Sequence, residues 1–150
     1  MIVRVDENDE RNEQRVGELM ERAWGVQMRK FGRFDRLDRF GVEDGVTRFV
    51  AEIKVRRNES NRYPTVFASA AKWFYLLRLS ESLDVPGLYV FAFIDGFVGY
   101  VKADEIDARR HRIAGRIDRV DAPNDQELII DVPIEQLQPI VAADELREAA

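Results

Sequence analysis

The 150-residue chain has no cysteine, a single histidine (His111) and no long hydrophobic run. Without cysteine there is no disulfide framework, no thiolate zinc site and no cysteine nucleophile. One histidine excludes any metal centre that needs two, and it permits a catalytic triad only if His111 is the base. The longest apolar stretch, residues 85–94, falls well short of the ~20 residues that a membrane-spanning helix needs. Residues 1–13 are acidic, unlike a cationic and apolar secretion signal. Glycine and proline are scattered singly, with no Ser/Gly linker, repeat or low-complexity tract. These absences predict one soluble, cytoplasmic domain over residues 1–150 with acidic ends and no membrane partner. A chain of this size can hide about 68–70% of the surface it exposes when unfolded, so it needs no disulfide to form a core.

The chain carries 23 Lys and Arg against 28 Asp and Glu, a net charge of −5 that conceals an uneven distribution. Residues 1–13 contribute −3 and residues 121–150 contribute −7, which leaves +5 on residues 14–120. Two stretches concentrate that excess: Lys54, Arg56, Arg57 and Arg62, and further on Arg109, Arg110, Arg112, Arg116 and Arg119. A cationic middle between anionic ends suits contact with phosphates, and it equally describes an ordinary solvated surface.

Hydrophobic periodicity organises the rest. Val16, Leu19, Met20, Ala23 and Trp24 recur at three- and four-residue spacing, which predicts a helix over residues 10–30. Glu13 lies one turn before Val16 on that apolar face. Two strands follow over residues 33–40 and 46–55, joined by a turn over residues 41–45 that ends in Asp44-Gly45. In the second strand, a period of two puts Phe49, Ala51, Ile53 and Val55 on one face and Val50, Glu52 and Lys54 on the other. The first face is expected to be core, and the second to present an acid beside a base. Residues 69–83 predict an amphipathic helix with Ser69 as N-cap and Lys72 in its first turn. Residues 85–94 predict a strand buried on both faces, and Asp95-Gly96 a turn into another strand over residues 97–101. A late strand over residues 127–132 and a short helix over residues 134–148 complete the reading. This order predicts an α/β fold, a mixed sheet with helices packed on it.

The chemistry concentrates on the two hairpin strands. Asp35 and Asp38 lie on the first, Glu52 and Lys54 on the second. Pairing the strands brings an acid of each close together with a lysine alongside. Two carboxylates and a backbone carbonyl make a hard-oxygen site suited to Mg²⁺ or Mn²⁺. Such an ion can polarise a phosphodiester and activate a water, while a lysine ammonium offsets the charge that develops on the phosphate. On a strand Asp35 and Asp38 point to opposite faces, so only one can share a face with Glu52. Taken singly, an acid-x-Lys triplet is more often a solvated face, Glu13 a helix N-terminal acid, and Lys72 a snorkelling lysine.

Phe34-Asp35 followed by Ala51-Glu52-Ile53-Lys54-Val55-Arg56 resembles the signature of the PD-(D/E)XK nuclease superfamily. The likeness to its small phage and bacterial members extends to Asn12-Glu13, Arg62-Tyr63-Pro64-Thr65, Ser69 with Lys72-Trp73, Asp95-Gly96 and the segment Gly115-Arg116-Ile117-Asp118-Arg119. It covers roughly residues 12–135. The resemblance implies a restriction-endonuclease-like core of a helix, three antiparallel strands, a helix and a further strand. It makes Asp35 and Glu52 the metal ligands, with the carbonyl of Ile53 as a third, and Lys54 the catalytic lysine. Glu13 becomes an accessory acid, while Lys72 and Arg56 face the DNA. Phe34 departs from the proline of the superfamily name, and Asp38 rivals Asp35 as first ligand, although Phe34-Asp35 fits the pattern better.

The resulting expectation is a Mg²⁺-dependent deoxyribonuclease acting in a bacterial or phage-infected cell, with a homodimer as the candidate assembly because two cuts need two sites. Arg56, Arg57, Arg62 and Lys72 would hold the DNA backbone, contacts that carry no sequence information and so favour structure-selective or weakly specific cleavage. The alternatives are an inactive nuclease-like fold that serves as a DNA- or protein-binding accessory, and an RNA-binding surface built from the arginine stretches.

Overall fold

The computed structural model describes residues 2–30, 39–115 and 126–142. Helix α1 (Ile2–Trp24) buries Val16 and Met20 on the face that the periodicity marks. It stops at Trp24, short of residue 30, because Gly25 adopts φ +66° and its N–H closes the last turn on the Glu21 carbonyl at 2.9 Å. The residues beyond form a strand instead, β1 (Gln27–Lys30), paired antiparallel with β2 (Arg39–Glu43).

Strand β2 in turn pairs antiparallel with β3 (Val46–Val55). The connection is tighter than the sequence suggests: Asp44 and Gly45 alone turn, both at positive φ (52° and 75°), as a type I′ hairpin requires. Gly41 therefore belongs to the strand, where a Cβ would lie 2.4 Å from the Phe49 ring. Of the expected first strand, residues 33–38 lie outside the described residues, and Asp35 and Asp38 with them.

Strand β4 (Thr65–Ser69) leads directly into α2 (Ala70–Leu83), whose N-cap is Ser69 as expected; its side chain accepts from the Lys72 N–H. Helix α2 crosses back to β5 (Gly87–Ala92), which runs parallel to β3 and is buried along its whole length. Next comes β6 (Val98–Lys102), then β7 (His111–Gly115), β8 (Gln126–Pro133) and β9 (Gln138–Pro139). The strands form a mixed six-stranded sheet of order β1-β2-β3-β5-β6-β9 and a three-stranded sheet of order β4-β8-β7.

The late helix expected over residues 134–148 is not formed in its described part. Ile134–Gln136 makes one 3₁₀ turn, and β9 then pairs with β6. Pro139 has no N–H to give a helix, and burying Leu137 and Ile140 in the core favours the extended path. Strands β4 and β7 have no counterpart in the sequence reading. All five residues of β7 are exposed or half-buried, so its strand form comes from pairing with β8 rather than from a local pattern.

Two helices cover opposite faces of the central strands. Val16 and Met20 of α1 pack on Phe49, Ala51, Ile53 and Val90. Leu76 of α2 packs with Val50, Tyr89 and Phe91. On the Val50–Glu52–Lys54 face α2 covers the first two residues, so the side chains from Val50 to Ile53 are all buried, while Lys54 is exposed. No described helix is long and apolar enough to cross a membrane.

Candidate active site

Strand β3 delivers a carboxylate into the covered face. Glu52 is 0% exposed, and its Oε1 lies 2.9 Å from Nζ of Lys72, which reaches across from the first turn of α2. Lys72 remains 44% exposed at its side chain, so the pair has one end in the core and the other in water. Lys54, two residues further along the same face, is exposed at the rim.

The position of Lys72 is set by a relay through β5. Glu52 stands opposite Tyr89 in the parallel register. The Tyr89 hydroxyl accepts from the Ser69 N–H at 3.3 Å, and Ser69 Oγ accepts from the Lys72 N–H at 3.5 Å. Tyr89 itself stacks on Phe91, with ring centroids 5.0 Å apart. The start of α2 is thus tied to the strand next to the one that bears Glu52. Sequence reasoning missed Tyr89, since within a continuous apolar run nothing distinguishes it from its neighbours.

Backbone alternation adds a second oxygen. The N–H groups of Val50 and Arg56 bond to Pro86 and Ala92 on the β5 side, so even-numbered residues of β3 direct their peptide groups to β5 and odd-numbered ones to β2. The carbonyl of Ile53 accordingly faces the β2 side. There Arg39, the first described residue of β2, pairs with Ala51, next to Glu52.

Other expected site residues take different places. Glu13 is half-buried on α1, the helix that packs on the opposite face of β3 from Glu52. Arg56 is committed to β4: its guanidinium donates to the Phe67 carbonyl and lies 4.1 Å from the Phe67 ring centroid. Burial pushes its pKa below the usual arginine value, while Tyr89 and Glu127 oppose the shift. Arg56 thus braces β3 against the smaller sheet. Arg57 and Arg62 are exposed, with the Arg62 guanidinium 5.5 Å from the Tyr63 ring.

A family model described as "Phage putative PDDEXK endonuclease" matches residues 5–140. The chain belongs to this family. Among solved structures, the Holliday junction resolvase Hjc of the archaeal hyperthermophile Archaeoglobus fulgidus has a similar fold, with a TM-score of 0.60 over 94% of this chain and 96% of that one at 10% identity. No curated protein matches the sequence. The mixed sheet between two helices is thus the restriction-endonuclease-like architecture.

PDDEXK endonucleases generally use divalent metals. The Glu52 carboxylate and the Ile53 carbonyl are hard oxygen donors at one end of β3, of the kind Mg²⁺ prefers. Among the described residues no three acidic or histidine side chains lie together so as to hold a metal ion.

Proposed function

We propose that this PDDEXK endonuclease is a Mg²⁺- or Mn²⁺-dependent phosphodiesterase that cleaves DNA and selects its substrate by structure more than by sequence. The observation that carries the reading is the buried Glu52 carboxylate meeting Lys72 at 2.9 Å beside the exposed Lys54. A carboxylate is costly to bury, and a purely structural role would be served more cheaply by an apolar residue.

Glu52 and the Ile53 carbonyl would hold the cation together with Asp35 or Asp38. Asp35 fits the signature better, whereas Asp38 is bonded to Arg39, whose strand partner Ala51 adjoins Glu52. The ion supplies Lewis-acid polarisation of the phosphate and activation of the attacking water. Lys54 places a positive charge at the rim, where negative charge builds during attack. Lys72 neutralises Glu52 and keeps an ammonium half in water for the phosphate. Glu13 would act as an accessory acid from α1. Arg57 and Arg62 would hold the backbone, and paired cuts would call for two copies of the chain. The A. fulgidus resolvase makes branched DNA a substrate worth offering beside linear duplex.

Purified protein with Mg²⁺ or Mn²⁺ should cut one of these DNAs. Glu52→Ala and Lys54→Ala should each lower the rate about a hundredfold or more with the circular dichroism spectrum unchanged. Comparing Asp35→Ala with Asp38→Ala identifies the further ligand. Undiminished cutting by both Glu52→Ala and Lys54→Ala would overturn the assignment, and a folded protein that binds DNA without cutting it leaves the accessory role.

A further inference from the structure

A second cationic site lies on the α1 side of the sheet, apart from Glu52. Arg39 opens β2, and its cross-strand partners are Lys30 at the end of β1 and Ala51 on β3. Its side chain runs beneath α1, close enough that a Cβ on Gly17 would be 3.3 Å from Nε. Arg39 is only 7% exposed, and its Nη1 is buried without a hydrogen-bond partner. No carboxylate of the described residues lies within ion-pair distance of it.

A cleft of about 450 Å³ opens beside this guanidinium, lined by Glu10, Arg11, Gln14, Lys30 and Arg39. Its one acid, Glu10, is already engaged, 2.8 Å from Lys30 Nζ. That contact, and more distantly the charge of Arg39, holds the Glu10 carboxyl below its usual pKa. With three cations against one anion among its described lining residues, the cleft carries surplus positive charge, anchored by an arginine with one buried nitrogen unsatisfied.

We propose that Arg39, Arg11 and Lys30 form a binding site for a phosphate group, which on the reading above is a backbone phosphate of the DNA beyond the one being cut. The register favours this placement. Lys30 and Arg39 lie level with Ala51, so the cleft opens at the end of the sheet toward which β3 carries Glu52 and Lys54. DNA lying across that end would meet Lys54 on one face of the sheet and the cleft on the other. Guanidinium groups suit this task because their forked donors match phosphate oxygens.

The test measures binding of labelled duplex and four-way-junction DNA by fluorescence anisotropy, without divalent metal and across a salt series. Arg39→Met should weaken binding about tenfold and reduce the salt slope by about one counterion. Arg11→Ala should have a smaller effect in the same direction. Glu10→Gln should tighten binding severalfold, because it removes the one acid among the described lining residues of the cleft. That opposite sign keeps the test decisive even if Arg39→Met does not fold. Inorganic phosphate, followed by thermal shift, is the second arm. If phosphate protects the parent and not Arg39→Met while DNA binding is unchanged, the site takes a free anion and the DNA assignment falls. If Glu10→Gln and the arginine variants all bind DNA and phosphate like the parent, there is no phosphate site. Failure of the parent itself to bind DNA would instead count against the nuclease reading.

Discussion

Two charged side chains enter the central sheet from neighbouring strands and meet opposite fates. Glu52 projects from β3 toward α2, where Lys72 answers its charge at 2.9 Å. Arg39 projects from β2 toward α1, where its Nη1 has no hydrogen-bond partner among the described residues and Glu10 attracts it only at longer range. Burying a charge costs several kcal/mol even after relaxation, and only a close partner offsets it. The α2 side therefore holds a charge that the fold itself answers, and the α1 side one for which the described residues supply no close counter-charge. Burial alone thus does not mark a functional group; what completes its charge does.

Removing the internal partner should have the largest effect on stability. Lys72→Met removes the ammonium that meets the buried Glu52 carboxylate, and we expect a loss of about 2 kcal/mol in urea unfolding at pH 7, below the ~3–5 of a fully buried pair because half of Lys72 is in water. Parent-like stability would show that the pair contributes nothing. Arg39→Met should move the other way, raising stability by about 1 kcal/mol, since it exchanges a buried cation with an unsatisfied nitrogen for an apolar chain of similar length. A destabilised Arg39→Met would mean that the guanidinium is satisfied within the fold, and the contrast between the two faces would vanish.

The smallest effect is expected far from both. Asp95 accepts from the Ser60 hydroxyl at 2.6 Å and from the Ser60 N–H at 3.1 Å, which holds its carboxyl below the ordinary value of 3.8. A depressed carboxylate contributes stability that is present above its unfolded pKa and lost as pH falls through the folded one. Ser60→Ala should therefore raise the Asp95 pKa in an NMR titration and narrow the stability gap between parent and Asp95→Asn at neutral pH. An unmoved titration would show that the backbone bonds alone set it.

Much of the scaffold was legible in the sequence because its signals are local. The three- and four-residue spacing around Val16 and Met20, the Asp44-Gly45 turn, the Ser69 cap and the unbroken apolar run of β5 each report on a few consecutive residues. What was not legible depended on distant partners. Nothing in Gln27-Met28-Arg29-Lys30 distinguishes a strand from a last helical turn until β2 lies beside it. The exposed residues of β7 are a strand only because β8 pairs with them. For the site, the acid-x-Lys spacing and the lysine after a capping serine picked out Glu52, Lys54 and Lys72, whereas Arg39 and Tyr89 carry no local mark.

That Glu52 and Lys54 share one face of a strand and that Lys72 stands in the first turn of a helix follows from the residue order alone, since the periods of two and 3.6 come from backbone stereochemistry. That α2 closes over that face and α1 over the other comes from the packing of the folded chain. Whether a charged side chain meets water, a counter-charge or neither depends on which surfaces pack together, and that is a property of the whole chain.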